Sequence, residues 1–212
     1  MFAVLFEVQP KSEKWDEYLG VAKMLKPELE AIDGFVENIR YRSLTRPSWL
    51  LSLSIWRDEK ALVRWRTQAV HHGAQERGRF EIFGDYHLRV GELTGTGSTE
   101  RSDETQVGLG TTVTLVDGKR AVKDAATDQV AVSLGLQADA PGLVAWDVFE
   151  AVLTPGDVIL LMTSRDQKTA EALERGISPN DGARLRQVRI LRDYGMYDRR
   201  EAPQYYADIE RR

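Results

Sequence analysis

Hydrophobic and polar residues in the first half of the chain follow two patterns that alternate along the sequence. Four stretches have the composition and alternation of half-buried strands, namely residues 2–9, 35–44, 49–56 and 79–93. Residues 11–32 and 57–70 instead place apolar side chains at helical spacing, and Asp58 is positioned to cap the second helix. The predicted order is therefore β-α-β-β-α-β, the split βαβ or ferredoxin-like arrangement.

The second half of the chain repeats this order. The segment "IFGDYHL" from Ile82 resembles "ILRDYGM" from Ile190, which gives an offset of 108 residues between them. The same offset relates, without a gap, Gly34 to Gly142, Val36 to Val144, Pro47 to Pro155, Leu53 to Leu161, Arg57-Asp58 to Arg165-Asp166, Lys60 to Lys168 and Asp85-Tyr86 to Asp193-Tyr194. So many agreements on one diagonal indicate a duplicated unit. We predict repeats at residues 1–93 and 108–198, a linker at 94–107 and a tail at 199–212.

The amino-acid composition narrows the classes of molecule to which the protein is expected to bind. The chain has 29 Lys and Arg residues interspersed with 33 Asp and Glu residues, and its formal net charge is −4. This distribution lacks the basic footprint of a nucleic-acid-binding protein. The absence of cysteine excludes disulfides and thiolate chemistry and fits a reducing cytoplasm. Since no stretch approaches the ~18 apolar residues of a membrane span, we expect a cytoplasmic protein without a membrane partner.

Several short motifs in the first repeat resemble the antibiotic biosynthesis monooxygenase family. They are "DGFV", a strand that ends in "IW", a tryptophan on the next helix and "H…AQERGRF…DY…RV". In that family two ferredoxin-like protomers set their four-stranded sheets face to face and close a dimeric α+β barrel. For a tandem repeat the resemblance implies an α+β fold in which both repeats form one intramolecular pseudo-dimeric barrel, because each bare sheet face needs a cover. A homodimer of the whole chain is compatible with it.

The adjacent histidines His71 and His72 are the first candidates for chemistry. On an unbroken helix His72 shares a face with Leu62 and Trp65 while His71 points almost opposite, and a helix break near residues 67–69 reverses this. The resemblance places the family's recurrent histidine at His71. An imidazole can act as a general base near neutral pH or as an axial haem ligand. Alternatively, one histidine caps helix carbonyls and the other is solvated.

Two tryptophans are candidate walls of a substrate pocket. Trp56 and Trp65 would stack on a flat polycyclic substrate and keep water out of the cavity. The alternative for each is ordinary packing in the core, which is the usual role of a tryptophan at helical spacing.

Polar residues of the second strand are candidates for stabilising negative charge. Asn38 and Arg40 share one strand face, and Tyr41 lies on the other. Asn38 would donate to a developing enolate oxygen, with Arg40 or Tyr86 assisting. The alternatives are a solvated strand face for the first two, and an architectural role for Asp85-Tyr86 because that pair recurs in the second repeat.

The second repeat lacks the candidate site residues. The offset of 108 residues puts Pro179 and Asn180 at the positions of the histidines and Leu173 at that of Trp65. We therefore expect one pocket, in the first repeat, with the second repeat as its scaffold.

These observations favour a cofactor-independent oxygenase that resembles quinone-forming monooxygenases and acts with O2 on a small hydrophobic or aromatic metabolite. No GxGxxG, Walker, HExxH or GxSxG motif is present, so neither a flavin nor a nicotinamide nor a metal site is indicated. The first alternative is a haem-binding protein with His71 or His72 as ligand. In haem-degrading relatives the histidine falls on Gln75, and their first-strand asparagine is missing here, which argues against haem breakdown. The second alternative is a non-catalytic module that binds a hydrophobic metabolite.

Overall fold

The computed structural model describes residues 1–94, 104–120, 125–177 and 184–210. Within these residues eight antiparallel strands close into one barrel, in the order β1-β3-β2-β6-β7-β5-β8-β4. The strands are β1 (Phe2–Pro10), β2 (Phe35–Ser43), β3 (Leu50–Trp56), β4 (Phe83–Thr94), β5 (Thr112–Lys119), β6 (Leu143–Ala151), β7 (Asp157–Ser164) and β8 (Leu185–Gly195). Each repeat supplies four neighbouring strands, so the predicted pseudo-dimeric α+β barrel is confirmed.

Five α-helices lie on the outside of this barrel in the described part of the chain. They are α1 (Trp15–Glu30), α2 (Glu59–Thr67), α3 (Ala69–Arg77), α4 (Thr127–Ser133) and α5 (Gln167–Arg175). Asp58 caps α2, because its carboxylate accepts a hydrogen bond from the backbone N–H of Ala61 at 2.8 Å. Asp166 caps α5 in the same way through the N–H of Thr169, also at 2.8 Å. None of the described helices has the length and apolar character needed to cross a membrane.

The centre of the barrel is filled by side chains from both repeats. Apolar residues that alternate along the strands meet there in one cluster, which includes Leu5, Leu53, Leu115, Phe149 and Leu161. The two repeats join along two seams of unequal length. At the long seam β4 pairs with β8 from His87 to Thr94, and at the short seam β2 pairs with β6 only from Tyr41 to Ser43. This apolar centre is therefore a core that the two repeats share.

The two repeats are not identical in register. Leu5 lies opposite Leu53, but Leu161 lies opposite Leu115 rather than Val113, so β5 is shifted by two residues relative to the offset of 108. A shift of two keeps every side chain on its predicted face, since strands alternate with period two. The central part of the predicted linker, residues 95–103, lies outside the described residues.

Candidate active site

A cavity of about 220 Å³ lies between the outer face of the first repeat's sheet and the helices α1, α2 and α3. Its apolar wall is formed by strand and helix residues that include Val4, Phe6, Leu25, Leu62, Leu88 and Val90. Four of its polar residues come from β2 and β3, namely Asn38, Arg40, Ser52 and Ser54. The cavity is thus a mainly apolar chamber with a polar patch on its sheet side, as in sites for small organic ligands.

A break between α2 and α3 turns His71 towards this cavity. Gln68 adopts an extended conformation (φ −63°, ψ 131°), and its side chain then accepts a hydrogen bond from the backbone N–H of His71 at 2.7 Å. The break falls inside the interval where the sequence allowed one. His71 consequently lines the cavity, and His72 does not.

The His71 ring is held in one orientation and one tautomer by Trp65. The two rings stack with centroids 3.9 Å apart and an interplanar angle of 14°. Nδ1 of His71 lies 2.9 Å from the carbonyl oxygen of Trp65. Because a carbonyl only accepts, Nδ1 carries the hydrogen and Nε2 keeps its lone pair.

Burial keeps His71 uncharged. It lowers the pKa of His71 to about 4, with the charge of His72 acting in the same direction and the Trp65 carbonyl opposing it. At neutral pH the ring is therefore a neutral proton acceptor. The side-chain amide nitrogen of Gln75 lies 3.2 Å from Nδ1 and 3.5 Å from Nε2.

His72 is exposed and contacts the C-terminal tail. Its Nδ1 lies 3.3 Å from the amide nitrogen of Gln204 and 3.4 Å from the hydroxyl of Tyr206. The Tyr206 ring stacks on it with centroids 5.9 Å apart. His72 is therefore a docking residue for the tail, which corrects its placement as an alternative cavity base.

The two predicted tryptophan walls have different positions. Trp65 lines the cavity. Trp56 does not, because it sits at the end of β3, where Leu29 and Ala61 close over the sheet, and it is 0% exposed. There it packs edge-on against Phe35, and its Nε1 donates to the hydroxyl of Ser54 at 2.9 Å. Its predicted contact with substrate is corrected to a role in the core.

Asn38 and Arg40 both face the cavity, while Tyr41 is buried in the barrel centre, as the strand alternation predicts. The amide nitrogen of Asn38, however, already donates to the hydroxyl of Ser52 at 2.9 Å and to the carbonyl of Leu53 at 3.2 Å. Its hydrogens are engaged within the sheet, so the donor expected at this position is supplied better by Ser52. That hydroxyl accepts from Asn38 and keeps its own hydrogen free to donate.

Arg40 pairs with a tyrosine of α1 that the sequence did not single out. Burial raises the pKa of Tyr18, and the charge and hydrogen bond of Arg40 oppose that rise. Nε of Arg40 is buried and has no hydrogen-bond partner among the described residues.

Tyr86 lines the cavity and links it to the tail. Its hydroxyl accepts hydrogen bonds from Arg199 at 2.7 Å and from Arg79 at 3.2 Å. Arg79, which is only 2% exposed, also donates to the carbonyls of Met196 and Ala207, at 2.7 and 3.0 Å. The second repeat and the tail thereby reach the cavity, with wall residues Arg192, Tyr194, Arg199, Pro203, Gln204 and Tyr206. The expectation that the second repeat is scaffold only is wrong.

Sequence reasoning missed residues of two kinds. Ser52 and Ser54 had a local signal, since they are the only polar residues of "WLLSLSIW". They lie on the same strand face, and the residues between and beside them on the opposite face are all apolar. Arg192, Tyr194 and the tail had none, because they reach the cavity through the β4–β8 pairing, which joins segments about a hundred residues apart in sequence.

The described residues offer neither a metal site nor a cavity of the size of a haem. Within them no group of three or more His, Asp or Glu side chains is arranged to hold a metal ion. The cavity does not fit a haem either. Its volume of 220 Å³ is below the ~300–1,000 Å³ of sites for drug-sized molecules. A haem is at least as large as such a molecule and would need a larger site.

Comparison with known proteins agrees with the predicted resemblance. Residues 1–77 match the family described as antibiotic biosynthesis monooxygenase. The chain is 50% identical to "Jasmonate monooxygenase ABM" of Pyricularia oryzae in an alignment of 219 residues, which covers 97% of this chain and 98% of the relative. Because that identity spans nearly the whole chain, the protein belongs to the antibiotic biosynthesis monooxygenase family.

Solved structures in the same comparison are more distant in sequence. A putative antibiotic biosynthesis monooxygenase from Deinococcus radiodurans is 12% identical and covers 48% of this chain and 100% of its own, with a TM-score of 0.42. A putative monooxygenase from Lactobacillus acidophilus is also 12% identical and covers 91% of this chain and 94% of its own, with a TM-score of 0.41.

Proposed function

We propose that this protein is a monooxygenase that uses O2 to oxidise a small hydrophobic metabolite in the cavity of its first repeat, without a resident cofactor. The observation that carries the proposal is a neutral imidazole, His71, held in one tautomer at the wall of a mainly apolar cavity. The name of the 50% identical relative supports jasmonate, a small cyclopentanone carboxylate, as the kind of substrate.

The redox balance limits which bond is oxidised. Without an external reductant, all the electrons that reduce O2 come from the substrate. A methylene group made acidic by a neighbouring carbonyl or aromatic ring then reacts with one molecule of O2 and becomes a carbonyl group, with the release of one molecule of water. One oxygen atom of O2 stays in the product, and the other leaves in the water together with both methylene hydrogens.

Four cavity residues and the apolar wall have roles in this reaction. Nε2 of His71 takes the proton from the substrate's C–H bond, and the carbonyl of Trp65 steadies the imidazolium that forms by accepting from Nδ1. The hydroxyl of Ser52 and the guanidinium of Arg40 stabilise the carbanion's oxygen. The apolar wall keeps water away from the carbanion, which favours its reaction with O2.

Oxygen consumption by metal-free protein tests this proposal. With anthrone or jasmonate as substrate we expect enzyme-dependent uptake of O2, and one ¹⁸O atom from ¹⁸O2 in the product. His71→Gln is expected to lower kcat/KM by about 10²–10⁴-fold, the usual contribution of a general base. The matched control is His72→Gln, which changes the adjacent, exposed ring and should alter kcat/KM by less than about threefold.

Two results would overturn the proposal. One is the absence of enzyme-dependent O2 uptake across activated methylene substrates. The other is a His71→Gln variant that retains wild-type activity, since the cavity would then work without its base.

A further inference from the structure

The cavity carries a positive charge that the composition of the chain does not predict. Five arginines line it, against a single carboxylate, Glu59, although the formal net charge of the whole protein is −4. They are Arg40, Arg66, Arg79, Arg192 and Arg199. Within the described residues none of the five is in an ion pair, whereas arginines elsewhere on the surface pair with Asp or Glu.

Three of these arginines have hydrogen-bond partners that account for their positions in the cavity wall. Arg79 and Arg199 donate to Tyr86 and to backbone carbonyls of the tail and its approach. Arg40 bonds to Tyr18, at the polar patch on the sheet. Their positive charges therefore serve the architecture of the site and the reaction.

Arg66 and Arg192 are left without such partners. Arg66 projects from α2 of the first repeat, and Arg192 from β8 of the second. No described residue accepts a hydrogen bond from either guanidinium, and Nε of Arg66 is buried.

Both guanidinium groups act on the same phenol, Tyr194. Burial raises the pKa of Tyr194 to about 12, with Tyr86 adding to the rise, and the charges of Arg199, Arg66 and Arg192 oppose it. The Tyr194 side chain is 8% exposed and lines the cavity. Arg192 and Tyr194 are alternate residues of β8 and so share one face of that strand, and Arg66 of the first repeat lines the same cavity.

The Arg66 side of this arrangement is unfavourable until an anion completes it. The buried Nε of Arg66 has lost water without gaining a partner, and a carboxylate restores both charge balance and hydrogen bonds, while the exposed Arg192 adds its charge and donors at the same cavity. Arginine's planar donors suit the two oxygens of a carboxylate in particular.

We propose that Arg66 and Arg192, together with the Tyr194 hydroxyl, form a carboxylate-binding subsite of the cavity. The ligands of the site are then amphipathic carboxylates, whose apolar part lies against the wall formed by α1 and the sheet. This inference rests on the proposed function for the choice of site, but it concerns binding alone. It also gives the second repeat a role in ligand selection.

Binding of acid and ester pairs to the full-length protein tests the subsite. The probes are jasmonate and 1-naphthylacetate, each compared with its methyl ester, and tryptophan fluorescence or calorimetry gives the Kd. We expect each acid to bind about 10–100-fold more tightly than its ester, the effect of a hydrogen bond to a charged group. Raising the salt concentration should weaken binding of the acids and leave the esters nearly unchanged, because only the acids interact with the guanidinium charges.

Variants that remove a single positive charge show which arginines cause the preference for acids. Arg66→Gln and Arg192→Gln should each weaken acid binding by about tenfold and leave ester binding within about twofold. Arg64→Gln is the matched control on α2, since Arg64 is exposed and bonds to Asp33, and it should preserve the preference for acids.

The outcomes separate this inference from the proposed reaction. Esters that bind the wild-type protein as tightly as the acids, or a preference for acids that survives both variants, would overturn the subsite whatever the activity. If the acids bind as expected and no O2 is consumed, the subsite stands and the proposed oxygenase fails. If a variant does not fold, an acid affinity of the wild-type protein that does not change with salt overturns the subsite.

Discussion

In the second repeat the positions that correspond to the polar floor of the cavity carry apolar side chains. The offset of 108 residues takes Asn38 to Trp146, Arg40 to Val148, Ser52 to Leu160 and Ser54 to Met162. Those four residues belong to, or pack against, the apolar cluster that joins the second repeat's sheet to α4. The same faces of the same strands thus border a chamber in one repeat and a solid core in the other.

The covering helices differ in the same direction. In the first repeat α1 has 16 residues, and α2 is followed by α3 and a π-helical turn at Gly78–Ile82. In the second repeat α4 has only seven residues. Pro179 and Asn180, which the offset aligns with the two histidines, lie outside the described residues. A longer cover leaves room above the sheet, and a short one packs directly onto it.

The largest effect is expected when a side chain of the second repeat's core is placed in the cavity of the first repeat. Ser52→Leu places on the cavity floor the residue found at position 160, and we expect ligand Kd to rise by roughly a hundredfold because the side chain occupies ligand space. Stability should change by less than about 1 kcal/mol, since the apolar burial gained offsets the hydrogen bond lost from Asn38. Ser52→Ala, which removes the hydroxyl without filling the space, is the control, and equal Kd values for both variants would contradict the explanation.

The reciprocal change should affect stability instead of binding. Leu160 is 0% exposed, so Leu160→Ser leaves a void and an unpaired hydroxyl in a packed core, at a cost of about 3 kcal/mol in the free energy of unfolding. Denaturant unfolding measures this loss, and ligand Kd should stay within about twofold. A variant that loses ligand affinity while keeping its stability would mean that the second repeat's core shapes the cavity.

The sequence predicted the barrel well because its information is local and repeated. Alternation along β2 was enough to put Asn38 and Arg40 on one face and Tyr41 on the other, as the structure confirms. The strand predicted at residues 79–93 begins only at Phe83, because the preceding residues continue the helical segment as the π-helical turn.

The cavity itself was harder to predict because it depends on long-range contacts. Which histidine faces it was decided by the break at Gln68, a single extended residue between two helical stretches. The roles of Trp56 and Arg192 depend on what packs above one strand end and beside another strand, and neither is encoded in nearby residues.

Acid titration tests the comparison between the repeats, because the only imidazole that lines the described cavity belongs to the first repeat. The pKa of His71 is about 4 in the folded protein against an ordinary value of 6.5. Between these values the unfolded chain binds a proton that the folded protein does not, so stability falls as the pH is lowered from about 6.5 and levels off below about 4. Relative to His71→Gln, the wild-type protein should lose about 2 kcal/mol between pH 7 and pH 4.5, measured by urea unfolding. Parallel profiles for the two proteins would show that folding does not shift the pKa of His71.

The smallest expected effect concerns the tail, which covers the cavity of the first repeat. Tyr206 contacts His72 and Gln75 through its hydroxyl, and the guanidinium of Arg199 lies 5.1 Å from its ring centre. Tyr206→Ala should therefore loosen the tail and raise amide hydrogen exchange there about three- to tenfold, with a rise of about two- to fivefold in KM, because each lost contact is worth no more than about 1 kcal/mol. Tyr205→Ala is the matched control, since Tyr205 is 92% exposed and should change neither quantity. If both variants exchange alike, the Tyr206 ring does not hold the tail, and other bonds such as those from Arg79 to Ala207 and from Arg199 to Tyr86 are sufficient.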